Sequence, residues 1–386
     1  MEPRVLLACS GLDHARRGFE SFARECFEAL SGRPGIQLEL VKGSGISAGR
    51  ERALPSLRRD HRLARALARG RGVPPFRIEH FAFGLSLAPL IAARRPDVVY
   101  LSEWDTARVL SRWRQVNRQS FKLLLSNGTF VAEGFEHLDR VQELTPAGYD
   151  YVVARGADPR RHTVLPLGFR ISPELPPLAA ERRAALRRHA DLPTERPVLI
   201  CVAALNRSHK RLDYLIEEVA SLPAPRPFLL LVGARDDETP ALEELARRRL
   251  GAGGYAMRSV AAEAVPDLLR ASDIFVLASV VEAQGRALVE AMSHGLPCLA
   301  HDSPITRFAL GEEGSYGNFL ERGSLTSLLV RELAADPGEL RSRALRGHSY
   351  VYERFSWDRL AARYVELLRD VALGAANNTV SSSTGE

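Results

Sequence analysis

A chain of 386 residues, 45% apolar and 26% charged, is too long for one ordinary core and predicts two domains. No run of eighteen apolar residues occurs and the apolar segment at the amino terminus is too short for a signal peptide, so we expect neither a membrane span nor export, and a cytoplasmic protein. The net charge of +6 favours anionic partners without choosing between phosphorylated substrates and nucleic acid, and Cys9, Cys26, Cys201 and Cys298 stand singly, which argues against a disulfide framework or a C-x-x-C zinc site.

Apolar runs alternate with amphipathic stretches along the whole chain, the pattern of parallel sheets with crossover helices. RVLLAC (4–9) reads as a strand and FESFARECFEAL (19–30) as a helix, followed by strands IQLELV (36–41), DVVYL (97–101) and KLLLS (122–126). Between them, Leu57 to Gly70 reads as a basic helical segment with Arg58, Arg59, Arg62, Arg65 and Arg69 beside Leu57, Leu63 and Leu67. A solvated surface helix is one reading of it; contact with an anionic acceptor or a lipid surface is the other. The Pro-rich charged stretch from Ser172 to Pro197 reads as the connection between domains. Strands VLICVAAL, FLLLVG, DIFVLAS and PCLAH follow, with helices between them. The final GAANNTVSSSTGE is polar and small, and is expected to be disordered.

The stretch EAQGRALVEAMSHGLP (282–297) is the most informative. RALVEAMSH reads as a helix closed by Gly295 and Pro297, so Glu282 lies just before a helix and Glu290 inside it. Eight helical residues would rise about 12 Å, with a helix amino terminus between the carboxylates. Backbone N–H groups there suit a phosphate, Gly285 removes a Cβ from its path, and a carboxylate offers two acceptor oxygens to vicinal hydroxyls. The order therefore mirrors sugar, diphosphate and ribose. A loop carboxylate and a solvated helix residue remain the plain alternative. Lysine occurs only at positions 42, 122 and 210, which draws attention to Lys210, just ahead of a predicted helix. The adjacent Asp236 and Asp237 read as an ordinary helix start, and His294 as a helix-end residue whose partial positive charge suits the dipole.

These residues resemble the E-x(7)-E region of the family 4 retaining glycosyltransferases. VAALNRSHKRLDYLIEEVASL, VPDLLRASDIFVLAS, FSWDRLAARYVELLRDV, RRGFESF and TVLPLGF resemble other parts of that family, so the similarity covers nearly the whole chain. It implies an α/β protein of GT-B fold, two Rossmann-like doubly wound domains facing across a cleft. The domain limits expected are 1–170 for the acceptor side, 171–196 for the connection and 197–355 for the donor side. A helix over 356–373 returns to the first domain, and a tail follows over 374–386.

The resemblance implies that Glu282 serves the donor sugar, Glu290 the ribose hydroxyls and Lys210 the diphosphate. The family's preceding arginine falls at Ala204, and Arg207 is the nearest substitute. Gln284, Gly285, Arg286 and Ala287 form the donor turn, Gln284 and Gly285 replacing the family's Phe-Gly. Gly18 stands at the glycine turn before the first helix. On the acceptor side Ser102, followed by Glu103, occupies the place of a common histidine, and Asn127 that of a His-Gly; as an alternative, Ser102 and Asn127 merely cap or close turns. Base recognition is expected around Arg258 to Val260.

The implied activity is retaining transfer from a UDP- or GDP-sugar to an acceptor hydroxyl in glycan, glycolipid or natural-product biosynthesis. No cofactor or metal is expected, and no nucleic-acid motif accompanies the arginines. A nucleotide-sugar epimerase, a catalytically silent donor-binding member and an Arg-rich nucleic-acid-binding protein are the competing readings. The lipid reading of the Arg-rich segment would place the protein peripherally at the inner membrane surface.

Overall fold

The computed structural model describes residues 2–15, 18–128 and 134–374. The chain forms two compact units, Met1–Arg170 with Trp357–Glu386, and Ile171–Ser356. The tail expected to be disordered lies, apart from Gly374, outside the described residues.

The first unit contains β1 (Arg4–Cys9), α1 (Gly18–Leu30), β2 (Gln37–Lys42), β3 (Glu51–Ala53), α2 (Arg62–Arg71), α3 (Pro75–Arg94), β4 (Val98–Leu101), α4 (Trp104–Val116), β5 (Lys122–Asn127), β6 (Arg140–Glu143), α5 (Pro146–Val153) and β7 (His162–Val164). Its strands form one parallel sheet in the order β3-β2-β1-β4-β5-β6-β7. Leu6, Ala8, Val41, Val99, Leu101, Leu123 and Leu125 supply its core together with Phe83, Leu87 and Ile91 from α3. Helix α3 is long and apolar enough to cross a membrane by length and composition. It packs here against α2 and α4, burying a stripe of Glu79, Phe83, Leu87 and Ile91, the i, i+4 spacing of a core-facing helix.

The second unit contains α6 (Ala180–His189), β8 (Val198–Val202), α7 (Leu212–Ala220), β9 (Phe228–Val232), α8 (Thr239–Leu250), β10 (Tyr255–Arg258), α9 (Val265–Ala271), β11 (Ile274–Leu277), α10 (Arg286–Ser293), β12 (Cys298–His301), α11 (Pro304–Leu310), β13 (Ser315–Gly317), α12 (Ser324–Leu333) and α13 (Pro337–Phe355). Its parallel sheet runs β10-β9-β8-β11-β12-β13. Leu199, Cys201, Leu229, Leu231, Val276 and Leu299 form its centre with Leu212, Leu215 and Ile216 of α7.

Residues 171–196, expected as a connection, belong instead to the second unit and carry α6. Arg187 donates to the Ala271 carbonyl at 2.9 Å and pairs with Asp273, and Arg183 pairs with Asp273 at 2.8 Å. A helix so poor in apolar residues is held by partners far away in sequence, which a local pattern does not show. The basic segment differs too. The helix starts at Arg62 rather than Leu57, with His61 accepting from the Leu63 amide at its amino end and left-handed Gly72 at its carboxyl end. Arg59 turns inward onto Glu79.

After Ser356 the chain enters α14 (Trp357–Leu373), which packs on the first unit. The Trp357 amide donates to the Phe169 carbonyl at 3.0 Å, and Phe22 stacks on Trp357 with centroids 5.8 Å apart. Deeper in, the Tyr100 hydroxyl donates to Gln142, and Gln142 Nε2 donates to the Tyr364 hydroxyl at 2.8 Å, which donates to the Pro166 carbonyl at 2.8 Å. Buried polar groups satisfied in this way fix the helix in one register.

Candidate functional site

In open α/β sheets, ligands bind beyond the carboxyl ends of the strands, where the strand order reverses. In the second unit that point lies between β8 and β11. The loop after β8 carries Lys210, and the loop after β11 carries Glu282. Two amides of the first loop, Arg207 and Ser208, donate to Glu238 at 2.7 and 2.9 Å. The Asn206 side-chain oxygen accepts from His209 and Lys210 amides at 3.3 and 2.9 Å. At the end of β9 the backbone packs closely on this loop: a Cβ on Gly233 would stand 1.7 Å from the Ala203 carbonyl oxygen, so only glycine fits.

The two loops meet in an ion pair. Lys210 Nζ lies 2.5 Å from Glu282 Oε1, which also accepts from the buried Ser279 hydroxyl at 2.5 Å. Among the described residues Glu282 Oε2 has no hydrogen-bond partner. Lysine has three donors, so Lys210 can hold Glu282 and still reach an anion. Arg207 is exposed three residues away. Beneath the pair, burial pushes the Cys201 thiol up to about 12, with Lys210 opposing and Glu282 adding to the rise; this thiol stays protonated and unreactive at neutral pH. Burial, then the Lys210 charge, lowers the His209 pKa.

Helix α10 follows directly. Gly285 stands at its amino end with φ 75° and ψ 46°, and no side chain caps the first turn. The left-handed backbone there suits glycine, and the leading amides of Arg286 and Ala287 begin a helix whose positive end suits an anion electrostatically. Gln284 is buried beside it. Arg286 Nη2 lies 3.2 Å from Glu290 Oε1, one turn along. The expected 12 Å helical rise between the glutamates does not occur, because Glu282 belongs to a loop. Only Arg286 to Glu290 is helical, a rise of about 6 Å.

His294 caps the carboxyl end of α10, but not with a charge. Burial, then the positive charge of Arg270 and His348, lowers its pKa to about 4. A histidine held neutral in the fold contributes its stability above the ordinary value of about 6.5 and loses it progressively as pH falls toward 4. Chemical unfolding at pH 7 and pH 4.5 should therefore differ by up to about 3 kcal/mol from this group. His294→Gln should flatten that part of the profile.

Several other candidates have plain structural duties. Asp236 accepts from the Asn206 side chain at 3.1 Å and the Glu238 amide at 3.0 Å at the start of α8. Arg258 donates to the Ala190 and Asp191 carbonyls, tying β10 to the end of α6. Among the described residues no group of three or more His, Cys, Asp or Glu is gathered that could hold a metal ion.

In the first unit, Gly18 is the exposed first residue of α1, and Ser102 lies half-buried between β4 and α4. Glu103 is buried and accepts from the Ser10 amide at 2.6 Å and the Thr106 hydroxyl at 2.7 Å. Asn127 donates to Glu143 at 3.1 and 3.2 Å, and Glu143 also meets His162 Nδ1 at 2.8 Å. Glu103 and Asn127 thus hold strand ends together. Ser279 escaped the sequence reading, since a serine three residues before Glu282 carries no signal until the loop is folded.

Residues 196–330 match the family described as glycosyl transferases group 1. The lipopolysaccharide core biosynthesis glycosyltransferase LpsE of Rhizobium meliloti is 28% identical over 185 residues, 47% of this chain and 52% of that protein. The chain spans about half the length of the curated relatives it matches. Among solved structures, sucrose-phosphate synthase of Thermosynechococcus elongatus superposes with a TM-score of 0.77 at 19% identity, over 97% of this chain and 100% of that one. Anabaena HepE, solved with UDP and glucose, gives 0.74 at 16% identity, over 95% and 99%. With two parallel doubly wound sheets and these superpositions the chain has the GT-B fold, and its second unit is similar in sequence to the group 1 glycosyl transferases over residues 196–330.

Proposed function

We propose that the chain transfers a glycosyl group, with retention of configuration, from a nucleoside-diphosphate sugar to an acceptor hydroxyl. The observation that carries this reading is the Lys210–Glu282 ion pair at the switch point of the second unit, directly ahead of the uncapped start of α10. Lys210 and the α10 amides supply positive charge for a diphosphate. The free oxygen of Glu282 accepts from a donor-sugar hydroxyl, and Glu290 from the ribose. Arg207, Gln284, Gly285, Arg286 and Ala287 complete the donor side in this reading. HepE was solved with UDP and glucose, which supports a UDP-sugar as the first donor to try.

In the step we propose, the acceptor oxygen bonds to the anomeric carbon as the bond from that carbon to the phosphate oxygen breaks. The acceptor proton passes to the departing phosphate oxygen on the same face. This route assigns no protein base and no metal ion. Lys210 and the helix amides stabilise the charge that develops on the diphosphate.

A thermal-shift screen of UDP, GDP and ADP without added metal tests the donor side. A ligand at a hundred times its Kd stabilises the fold by about 2.7 kcal/mol, so one of the three should raise Tm clearly. No shift with any of them would count against the site. The anomeric configuration of the product, read by NMR, tests the mechanism, and inversion would contradict it.

A further inference from the structure

The first unit carries a second distinctive surface. Helix α2 seats Ala64 and Ala68 against the protein and leaves Leu63 and Leu67 52% and 37% exposed. Its other residues include Arg62, Arg65, Arg69 and Arg71, all exposed, and it contains no acidic residue. Among the described residues none of these four arginines has a carboxylate in ion-pair range, whereas Arg58 is paired with Asp60 and Arg59 with Glu79. Helix α3, packed against α2, exposes Phe81 and Leu85 at 52% and 55%. Those two are four residues apart and share one face.

We propose that the α2–α3 surface docks on an anionic lipid membrane. Unpaired arginines match a negative headgroup layer, and exposed leucine and phenylalanine enter the headgroup boundary while the arginine stems lie along it. The apolar side chains favour lipid over nucleic acid, because a phosphate backbone gives exposed leucines nothing to contact. The inference is independent of the glycosyl-transfer reading.

Sedimentation with vesicles tests it, using the full chain and phosphatidylcholine with or without 30 mol% phosphatidylglycerol. The wild type should bind the anionic vesicles at low salt, bind the neutral ones far more weakly, and be released by salt. Each basic residue near such a surface contributes about fivefold in partition, so Arg65→Glu with Arg69→Glu should weaken binding by at least about tenfold. Phe81→Ser with Leu85→Ser should weaken it while keeping the salt dependence. Unchanged thermal unfolding and an unchanged shift with UDP or GDP would show that the variants remain folded. Wild-type protein left in the supernatant with anionic vesicles would overturn the proposal. So would variants that bind as the wild type does, or arginine-dependent binding of duplex DNA in place of vesicles.

Discussion

Lys210→Ala is expected to lower kcat/KM by about 10²- to 10³-fold, the range for removing one preorganised charge that stabilises a developing anion. It should also remove most of the thermal shift produced by a nucleoside diphosphate. The side chain is half-buried on the rim of the sheet, in contact with one carboxylate, so the fold itself should change little. Glu282→Gln keeps the volume and one acceptor oxygen, and should spare nucleotide affinity while weakening the response to the sugar-bearing donor. Nucleotide binding and turnover by Lys210→Ala equal to the wild type would place the diphosphate elsewhere.

Glu79→Ala should cost the first unit about 3–5 kcal/mol, the penalty for stranding a buried partner charge. Glu79 is fully buried inside α3. Its Oε2 accepts from the Arg59 amide at 2.5 Å, from Arg59 Nε at 3.0 Å and meets His14 Nε2 at 3.1 Å. Its Oε1 accepts from Arg59 Nη2 at 2.7 Å and the Ser10 hydroxyl at 3.0 Å. Burial alone would raise the Glu79 pKa, but the hydrogen bonds from His14 and Arg59 outweigh it and hold the carboxyl far below the usual range. A depressed carboxylate stabilises the fold fully above its ordinary pKa, and that contribution is lost progressively as pH falls below that value into strongly acid solution. Urea unfolding at pH 7 measures the loss. Arg59→Met added to Glu79→Leu should recover part of it, because an apolar pair removes both charges together although Glu20 loses its 3.7 Å contact with Arg59. A double variant no more stable than Glu79→Ala would contradict that account.

The residues differ in how far sequence alone could place them. Central strands such as RVLLAC, VLICV and FLLLV are apolar runs too short for helices, and the doubly wound order follows from their alternation with helical stretches. Edge strands ERA, HTV and SYG are three residues long and carry no pattern of their own; pairing with a neighbour defines them. The turn at Gly285 was legible because glycine, helix and stop signal lie within twelve residues. The Lys210–Glu282 contact spans 72 positions; resemblance assigns both residues to the donor side, but only the folded loops show them paired. Arg59 looked like one more surface arginine in a basic run, and its inward turn onto Glu79 depends on α3 packing twenty residues later. His294 read as a favourable charge at a helix end, but burial opposes the charge and prevails.

The most direct test of the donor site is a crystal structure of the chain with UDP or GDP bound. The account predicts the diphosphate within hydrogen-bond distance of Lys210 Nζ and the α10 amides, with Glu290 on the ribose. A nucleotide bound in another part of the chain, with Lys210 still closed on Glu282, would contradict it.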